Sequence, residues 1–173
     1  MITINHKTAL IPPLHWAANP AIRPKFMTKL SHLFPISILP DDIDFMGHVN
    51  NSRYLNWVQD AVLSHWRNIA PPEAVAAHLW VALKHEITYR KPAFLNDDVI
   101  ATVVLEQVQG ARAFYDTVIK RGEEVLAEVK SSWCCIHADT LRPARLATDV
   151  IERFFGAPAP LTAHLAAPQA TAE

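Results

Sequence analysis

The positions of the prolines set the strongest limit on the fold, because proline interrupts helices and central strands. Six of the 13 prolines lie at or before Pro40, and three lie in the last sixteen residues. Two long windows, 41–70 and 93–142, contain none, so regular structure is expected there. The sequence predicts an irregular N-terminal extension over 1–30, one folded domain over 31–155 and a disordered tail over 156–173.

The first window has the pattern of one long amphipathic helix. Its apolar residues recur at steps of three and four, which gives a wide stripe along one helix face. They are Tyr54, Trp57, Val58, Ala61, Val62, Trp66 and Ile69. Asn50 is the expected N-cap, and Pro71 and Pro72 end the helix. A short helical turn is expected over 73–79.

The remaining patterned segments predict strands. Strands are expected at 32–39, 81–90, 98–108, 112–120 and 124–137, and a closing helix at 148–155. In the second strand the odd positions from Val81 to Tyr89 are expected on one buried face. Gly110 and Gly122 mark tight turns, which favour an antiparallel meander. The fold class is therefore α+β: one five-stranded antiparallel sheet wrapped around a central helix.

Rare residues and charge exclude several classes of protein. The 4 glycines are too dispersed for a dinucleotide fingerprint, a P-loop or a nucleophile elbow. The formal net charge is -1, so nothing favours nucleic-acid binding. Cys134 and Cys135 are adjacent, which suits neither a zinc pair nor a disulfide framework and favours the cytoplasm. No apolar run is long enough to predict a membrane span.

The segment between the first strand and the helix carries the most informative motif. It reads Asp42-Ile-Asp44-Phe-Met-Gly47-His48-Val49-Asn50-Asn51 and continues to Tyr54 and Trp57. This segment resembles the start of the central helix in hotdog-fold acyl thioesterases of the 4-hydroxybenzoyl-CoA thioesterase type. Its His-Val-Asn-Asn continuation is also similar to plant acyl-ACP thioesterases. Ile87-x-Tyr89-x-x-Pro92 extends the resemblance, which covers about residues 30–140.

The resemblance implies roles for individual residues. Asp44 matches the catalytic carboxylate, which acts as nucleophile or as the base that activates water. Asn51 matches the position whose backbone amide polarises the thioester carbonyl. Gly47 matches the glycine that lets the loop turn, and His48 matches a histidine of the plant enzymes' catalytic set. The resemblance also implies a site at a dimer interface.

The residues themselves support this chemistry. Thioester hydrolysis needs an acid–base or nucleophilic group and a place for the oxyanion, and a helix N-terminus offers unpaired amides. Without the motif, Asp42 and Asp44 would read as turn or cap residues, and Asn50 as a cap. His48 fits either catalysis or a hydrogen bond that fixes the loop. No metal or organic cofactor is required.

Five further residues are candidates for contacts with the substrate. Gly47, Asn50 and Tyr54 border the predicted site, and Tyr54 could equally belong to the core. Arg90 and Arg112 are candidates for the phosphates of a CoA substrate, with solvated charges as the alternative. The expected partners are an acyl-CoA or acyl-ACP substrate and a second copy of the chain, in a homodimer or homotetramer.

Three functions remain open at this stage. The first is an acyl-CoA thioesterase, which the Asp-x-Asp-x-x-Gly loop favours. The second is a hotdog enoyl-thioester hydratase or dehydratase, for which His48 could serve. The third is a non-catalytic module that binds acyl thioesters, against which the intact Asp44 argues.

Overall fold

The computed structural model describes residues 29–156, which form one antiparallel sheet with a long helix packed on it. The N-terminal 28 residues and residues 157–173 lie outside the described part, and so do the predictions that concern them. The elements are β1 Ser31–Ile36, α1 Asn51–Ile69, α2 Pro72–Ala77, β2 His78–Tyr89, β3 Val99–Gln109, β4 Arg112–Arg121, β5 Glu124–His137 and α3 Thr148–Arg153. A 3₁₀ turn, Pro40–Asp42, lies between β1 and α1.

The strands have the order β1-β3-β4-β5-β2, and every pairing is antiparallel. The predicted α+β class with a five-stranded antiparallel sheet around a helix is confirmed. The expected simple meander is correct only for β3, β4 and β5. β2 does not pair with β3 but lies beside β5 at the far edge, so the connection over residues 90–98 crosses the end of the sheet.

Helix α1 forms as its apolar stripe predicts. Asn50 caps it, since the Asn50 side chain accepts a hydrogen bond from the Ser52 N–H, and the helix ends before Pro71. The residues that α1 buries against the sheet are Tyr54, Trp57, Val58, Ala61, Val62, His65 and Trp66. Burial of the apolar members of this stripe, at ~1.5–3 kcal/mol for each large side chain, holds the helix on the sheet.

β1 is shorter than predicted. It ends at Ile36, whereas the apolar run 32–39 continues past it. The chain turns at Pro40, and the Leu39 N–H donates to the Asp42 carboxylate over 2.9 Å. Leu39 itself is exposed. The turn thus draws residues 37–39 away from the sheet, which a hydrophobic run alone does not reveal.

A β-bulge changes which face the residues of β2 occupy. The register between β2 and β5 shifts between Ala82 and Lys84, so Leu83 is the extra residue. The alternation predicted from Val81 to Tyr89 is therefore wrong at its start: Val81 and Leu83 are exposed on the outer face. An inserted residue reverses the parity of every residue on one side of it.

Candidate active site

The loop before α1 is a closed turn held by its own backbone. Ile43 and Val49 form an antiparallel bridge, the Asp44 N–H donates to the His48 C=O, and the Gly47 N–H donates to the Asp44 C=O. Gly47 has a φ of 80°, in the left-handed region that favours glycine. A Cβ at Gly47 would meet nothing within 4 Å. The positive φ of this turn therefore favours glycine at position 47, whereas steric crowding by neighbouring atoms plays no part.

This turn brings the carboxylate of Asp44 to the imidazole of His48. The distance between Asp44 Oδ2 and His48 Nδ1 is 3.5 Å, and Asp44 Oδ1 accepts from the Met46 N–H at 2.8 Å. The side chain of Asp44 is 11% exposed and that of His48 is 26% exposed. One carboxylate oxygen is thus held by the loop backbone, while the other faces the imidazole.

Asp42, the other carboxylate of the motif, supports the loop. It is buried, and its Oδ1 lies 2.5 Å from Arg53 Nε on the first turn of α1. Its C=O accepts the Asn50 N–H at 2.8 Å. Asp42 therefore fixes the loop to the helix, in agreement with the interpretation of this residue as a turn or cap residue.

The N-terminus of α1 leaves one amide available. The Ser52 N–H donates to the Asn50 side chain, and the Arg53 N–H donates to the Asn50 C=O. Within residues 29–156 the Asn51 N–H has no acceptor. This amide lies at the positive end of a 19-residue helix, so it can donate to an oxyanion.

His48 and Asn51 line the same cavity, which has a volume of about 290 Å³. Its walls are Met46, His48, Val49, Asn51, Tyr54, Tyr89, Arg90, Lys91 and Pro92. Asp44 does not line this cavity but contacts His48, which does. Of the residues predicted for substrate binding, Tyr54 and Arg90 reach the cavity, whereas Gly47 shapes the loop and Asn50 caps the helix.

Two tyrosines join this cavity to the sheet. The Tyr89 hydroxyl donates to the Asn51 C=O at 2.8 Å, and the Ala93 N–H donates to the Tyr54 hydroxyl at 3.2 Å. The two rings meet edge to face, with centroids 5.3 Å apart. Burial raises the pKa of both hydroxyls above the usual value of 10. The sequence analysis treated Tyr89 as a strand residue and as part of the motif Ile87-x-Tyr89-x-x-Pro92, and it did not predict the contact of Tyr89 with the helix.

The basic candidates divide between the two ends of the sheet. Arg90 lines the cavity and pairs with Glu128, with Nη2 2.8 Å from Oε2. Arg112 begins β4, whereas the cavity end of β2 is aligned with Ile119 of β4. The structure thus places Arg112 roughly 23 Å along the strand from the cavity.

A larger groove of about 420 Å³ lies between β1 and α1. It is lined by Phe34, Asp60, Ser64, Arg67 and Asn68, none of which belongs to the loop motif. The smaller cavity is the candidate active site because His48 and Asn51 both line it, and the Asn51 N–H has no acceptor in the described part of the chain.

Two further properties concern the described residues. No group of three or more His, Cys, Asp or Glu side chains in 29–156 is arranged to hold a metal ion. None of the helices in this part is long and apolar enough to cross a membrane.

Comparison with known proteins defines the class. The family model described as the thioesterase-like superfamily matches residues 38–154. The long-chain acyl-CoA thioesterase FadM of Escherichia coli is 30% identical over 115 residues, which are 64% of this chain and 87% of that protein. The chain therefore belongs to the thioesterase-like superfamily, and the resemblance to hotdog-fold thioesterases is confirmed.

Solved structures agree with this assignment. A probable thioesterase from Bartonella henselae is 26% identical, with a TM-score of 0.59 over 68% of this chain and 98% of that one. A thioesterase from Thermus thermophilus, complexed with coenzyme A and Zn, is 22% identical. Its TM-score is 0.61 over 70% of this chain and 95% of that one, a likeness of fold.

Proposed function

We propose that this protein hydrolyses acyl-CoA thioesters to a carboxylic acid and free coenzyme A. The observation that carries the proposal is that Asn51, whose N–H has no acceptor within residues 29–156, lines one cavity with His48, which contacts Asp44. A helix amide can donate a hydrogen bond to the oxyanion of a thioester, and the Asp44–His48 pair can accept the proton that water loses. The family assignment supports the same chemistry.

The proposed reaction balances with water as the only co-substrate. With Asp44 as the base, water loses a proton and adds to the thioester carbon, and the oxyanion accepts from the Asn51 N–H. Collapse breaks the C–S bond, and the proton goes to the leaving thiolate. His48 lies between the carboxylate and the cavity, so it relays this proton or orients the water.

The alternative route makes Asp44 the nucleophile. Its carboxylate would then form a mixed anhydride with the acyl group, which water cleaves in a second step. Single turnover in ¹⁸O-labelled water tests this route, since anhydride cleavage at the Asp44 carbonyl leaves label in that side chain. Label in a peptide containing Asp44 would support the anhydride route, whereas label only in the carboxylic acid product fits both general-base catalysis and attack of water at the acyl carbon of an anhydride.

We propose coenzyme A as the carrier and a long acyl chain as the cargo. FadM is described as a long-chain acyl-CoA thioesterase, and the Thermus structure contains coenzyme A. Arg90 and Lys91 line the cavity and supply positive charge for phosphates. Acyl-ACP remains the alternative carrier, and a panel of both carriers distinguishes them.

We further propose that two copies of the chain associate through β2. This strand is 12 residues long and lies at a sheet edge, so one side of its backbone is unpaired. Leu79, Val81 and Leu83 are all exposed on it. The cavity includes Tyr89 at the end of β2, so a partner there would border the site.

The test is thiol release from acyl-CoAs of increasing chain length and from aromatic acyl-CoAs. Asp44→Asn should lower kcat by about 10²–10⁴-fold, the usual contribution of general-base catalysis, with folding retained. The matched control is Asp41→Asn, which removes an exposed carboxylate just before the motif and should keep wild-type turnover. Equal activity of Asp44→Asn and wild type would overturn the proposed mechanism.

Two further measurements, of enoyl-CoA hydration and of acyl-CoA binding, address the other two functions. Addition of water to an enoyl-CoA without thiol release would identify a hydratase that uses the Asp44–His48 pair. Stoichiometric acyl-CoA binding without turnover would identify a binding module.

A further inference from the structure

We propose that Tyr89 is a positioning residue that holds the Asn51 backbone amide in place for the oxyanion. This inference rests on the proposed thioesterase function and assigns one further residue to the same site. It is carried by a single long-range hydrogen bond, from the Tyr89 hydroxyl to the Asn51 C=O, and by the contacts that fix the Tyr89 ring.

The hydrogen bond joins the end of β2 to the start of α1, next to the edge-to-face contact between the rings of Tyr89 and Tyr54. Tyr89 is the last residue of β2, and Asn51 is the first residue of α1. The bonded C=O and the free N–H of Asn51 flank the same Cα atom. A constraint on the C=O therefore limits rotation about that Cα and, with it, the direction of the N–H.

This bond is additional to the ordinary helix pattern. In an α-helix the Asn51 C=O faces the N–H four residues later, so the hydroxyl uses the second lone pair of the oxygen. The helix would form without it. The extra bond instead sets how the first turn lies against the end of the sheet.

The ring of Tyr89 is itself held by a set of contacts around the cavity. It packs edge to face on Tyr54, whose hydroxyl accepts the Ala93 N–H. The Ala93 C=O in turn accepts the Val49 N–H at 2.8 Å, and Val49 directly precedes the helix cap. These contacts connect the end of β2, the following loop and the catalytic loop, so the donor is oriented before substrate arrives.

A donor that is oriented in advance stabilises the transition state of the chemical step, and it leaves the affinity for the substrate largely unchanged. Removal of the Tyr89 hydroxyl should therefore lower kcat. The Tyr89 ring also lines the cavity, so a variant that keeps the ring separates orientation from packing. Tyr89→Phe meets this requirement.

The experiment compares Tyr89→Phe with wild type on the acyl-CoA that wild type hydrolyses fastest. We expect kcat to fall roughly 5- to 10-fold, the factor for one ordinary hydrogen bond, with KM changed less than about twofold. The control is Tyr115→Phe, which removes a buried hydroxyl from β4 outside the cavity and should leave kcat unchanged. A rise in KM alone, or no change in either constant, would overturn the proposal.

A readout independent of activity separates this inference from the proposed function. In ¹⁵N-labelled protein, Tyr89→Phe should shift the amide resonance of Asn51 and speed its hydrogen exchange more than that of residues later in α1. If wild type hydrolyses no acyl-CoA, the proposed function fails. The resonance and the exchange rate of the Asn51 amide then still test whether Tyr89 positions this amide. An unchanged Asn51 amide would contradict the positioning role in either case.

Discussion

Inside the fold, His65 on α1 is fully buried among aromatic rings. It stacks on His32 with centroids 5.4 Å apart, and the edges of Tyr115 and Phe154 enclose it. Neither ring nitrogen of His65 has a hydrogen-bond partner among the described residues. Burial, and secondly the nearby His32, lower the pKa of His65 from 6.5 to about 4.

This residue should make stability depend on pH. The unfolded chain binds a proton at His65 below pH 6.5, whereas the folded chain does so only near pH 4. The free energy of unfolding should therefore decrease by about 3 kcal/mol as the pH falls from 7 to 4. Urea unfolding between pH 7 and 4 should show that the free energy of unfolding decreases less in His65→Leu than in wild type. His137→Gln removes an exposed imidazole and should retain the wild-type slope; equal slopes for all three proteins would exclude this role of His65.

Among the elements, α1 contributes most to the candidate site because its first turn carries the Asn51 amide that we propose as the oxyanion donor. The Asn50 side chain accepts from both the N–H and the hydroxyl of Ser52, each at 2.9 Å. Loss of an N-cap typically costs about 1 kcal/mol.

Asn50→Ala should accordingly lower the free energy of unfolding by about 1 kcal/mol, whereas Asn50→Asp retains an acceptor and should remain close to wild type. Denaturant titration followed by circular dichroism measures both values. If Asn50→Ala had the same free energy of unfolding as wild type, the cap would contribute little, and the contacts of Asp42 and Tyr89 would hold the first turn.

At the scale of the whole molecule, the two sheet edges differ in the apolar residues that they expose. β1 and β2 both lie at edges, but exposed apolar residues cluster on β2, at Leu79, Val81 and Leu83. If copies pair there, Val81→Lys should reduce the mass measured by light scattering toward that of one chain and should impair turnover. Leu33→Lys places the same charge on the outer face of β1 and should preserve the β2 contact. An unchanged mass for Val81→Lys would place the interface elsewhere.

The sequence by itself determined the features that depend on neighbouring residues. The bounds of α1, its Asn50 cap, the turn at Gly47 and the α+β class follow from periodicity, capping chemistry and proline positions. The loop motif also led to the right family and brought Asp44, His48 and Asn51 together, since they lie within eight residues of one another. Their catalytic roles stay predictions.

Only the tertiary structure decided what depends on distant pairing. The place of β2 beside β5, the bulge at Leu83 and the separation of Arg112 from the cavity arise from strand register, which local patterns do not encode. The contact between Tyr89 and Asn51 joins residues 38 positions apart. Alternation can predict which face a tyrosine occupies, but the helix that covers this face is placed by packing of the whole sheet.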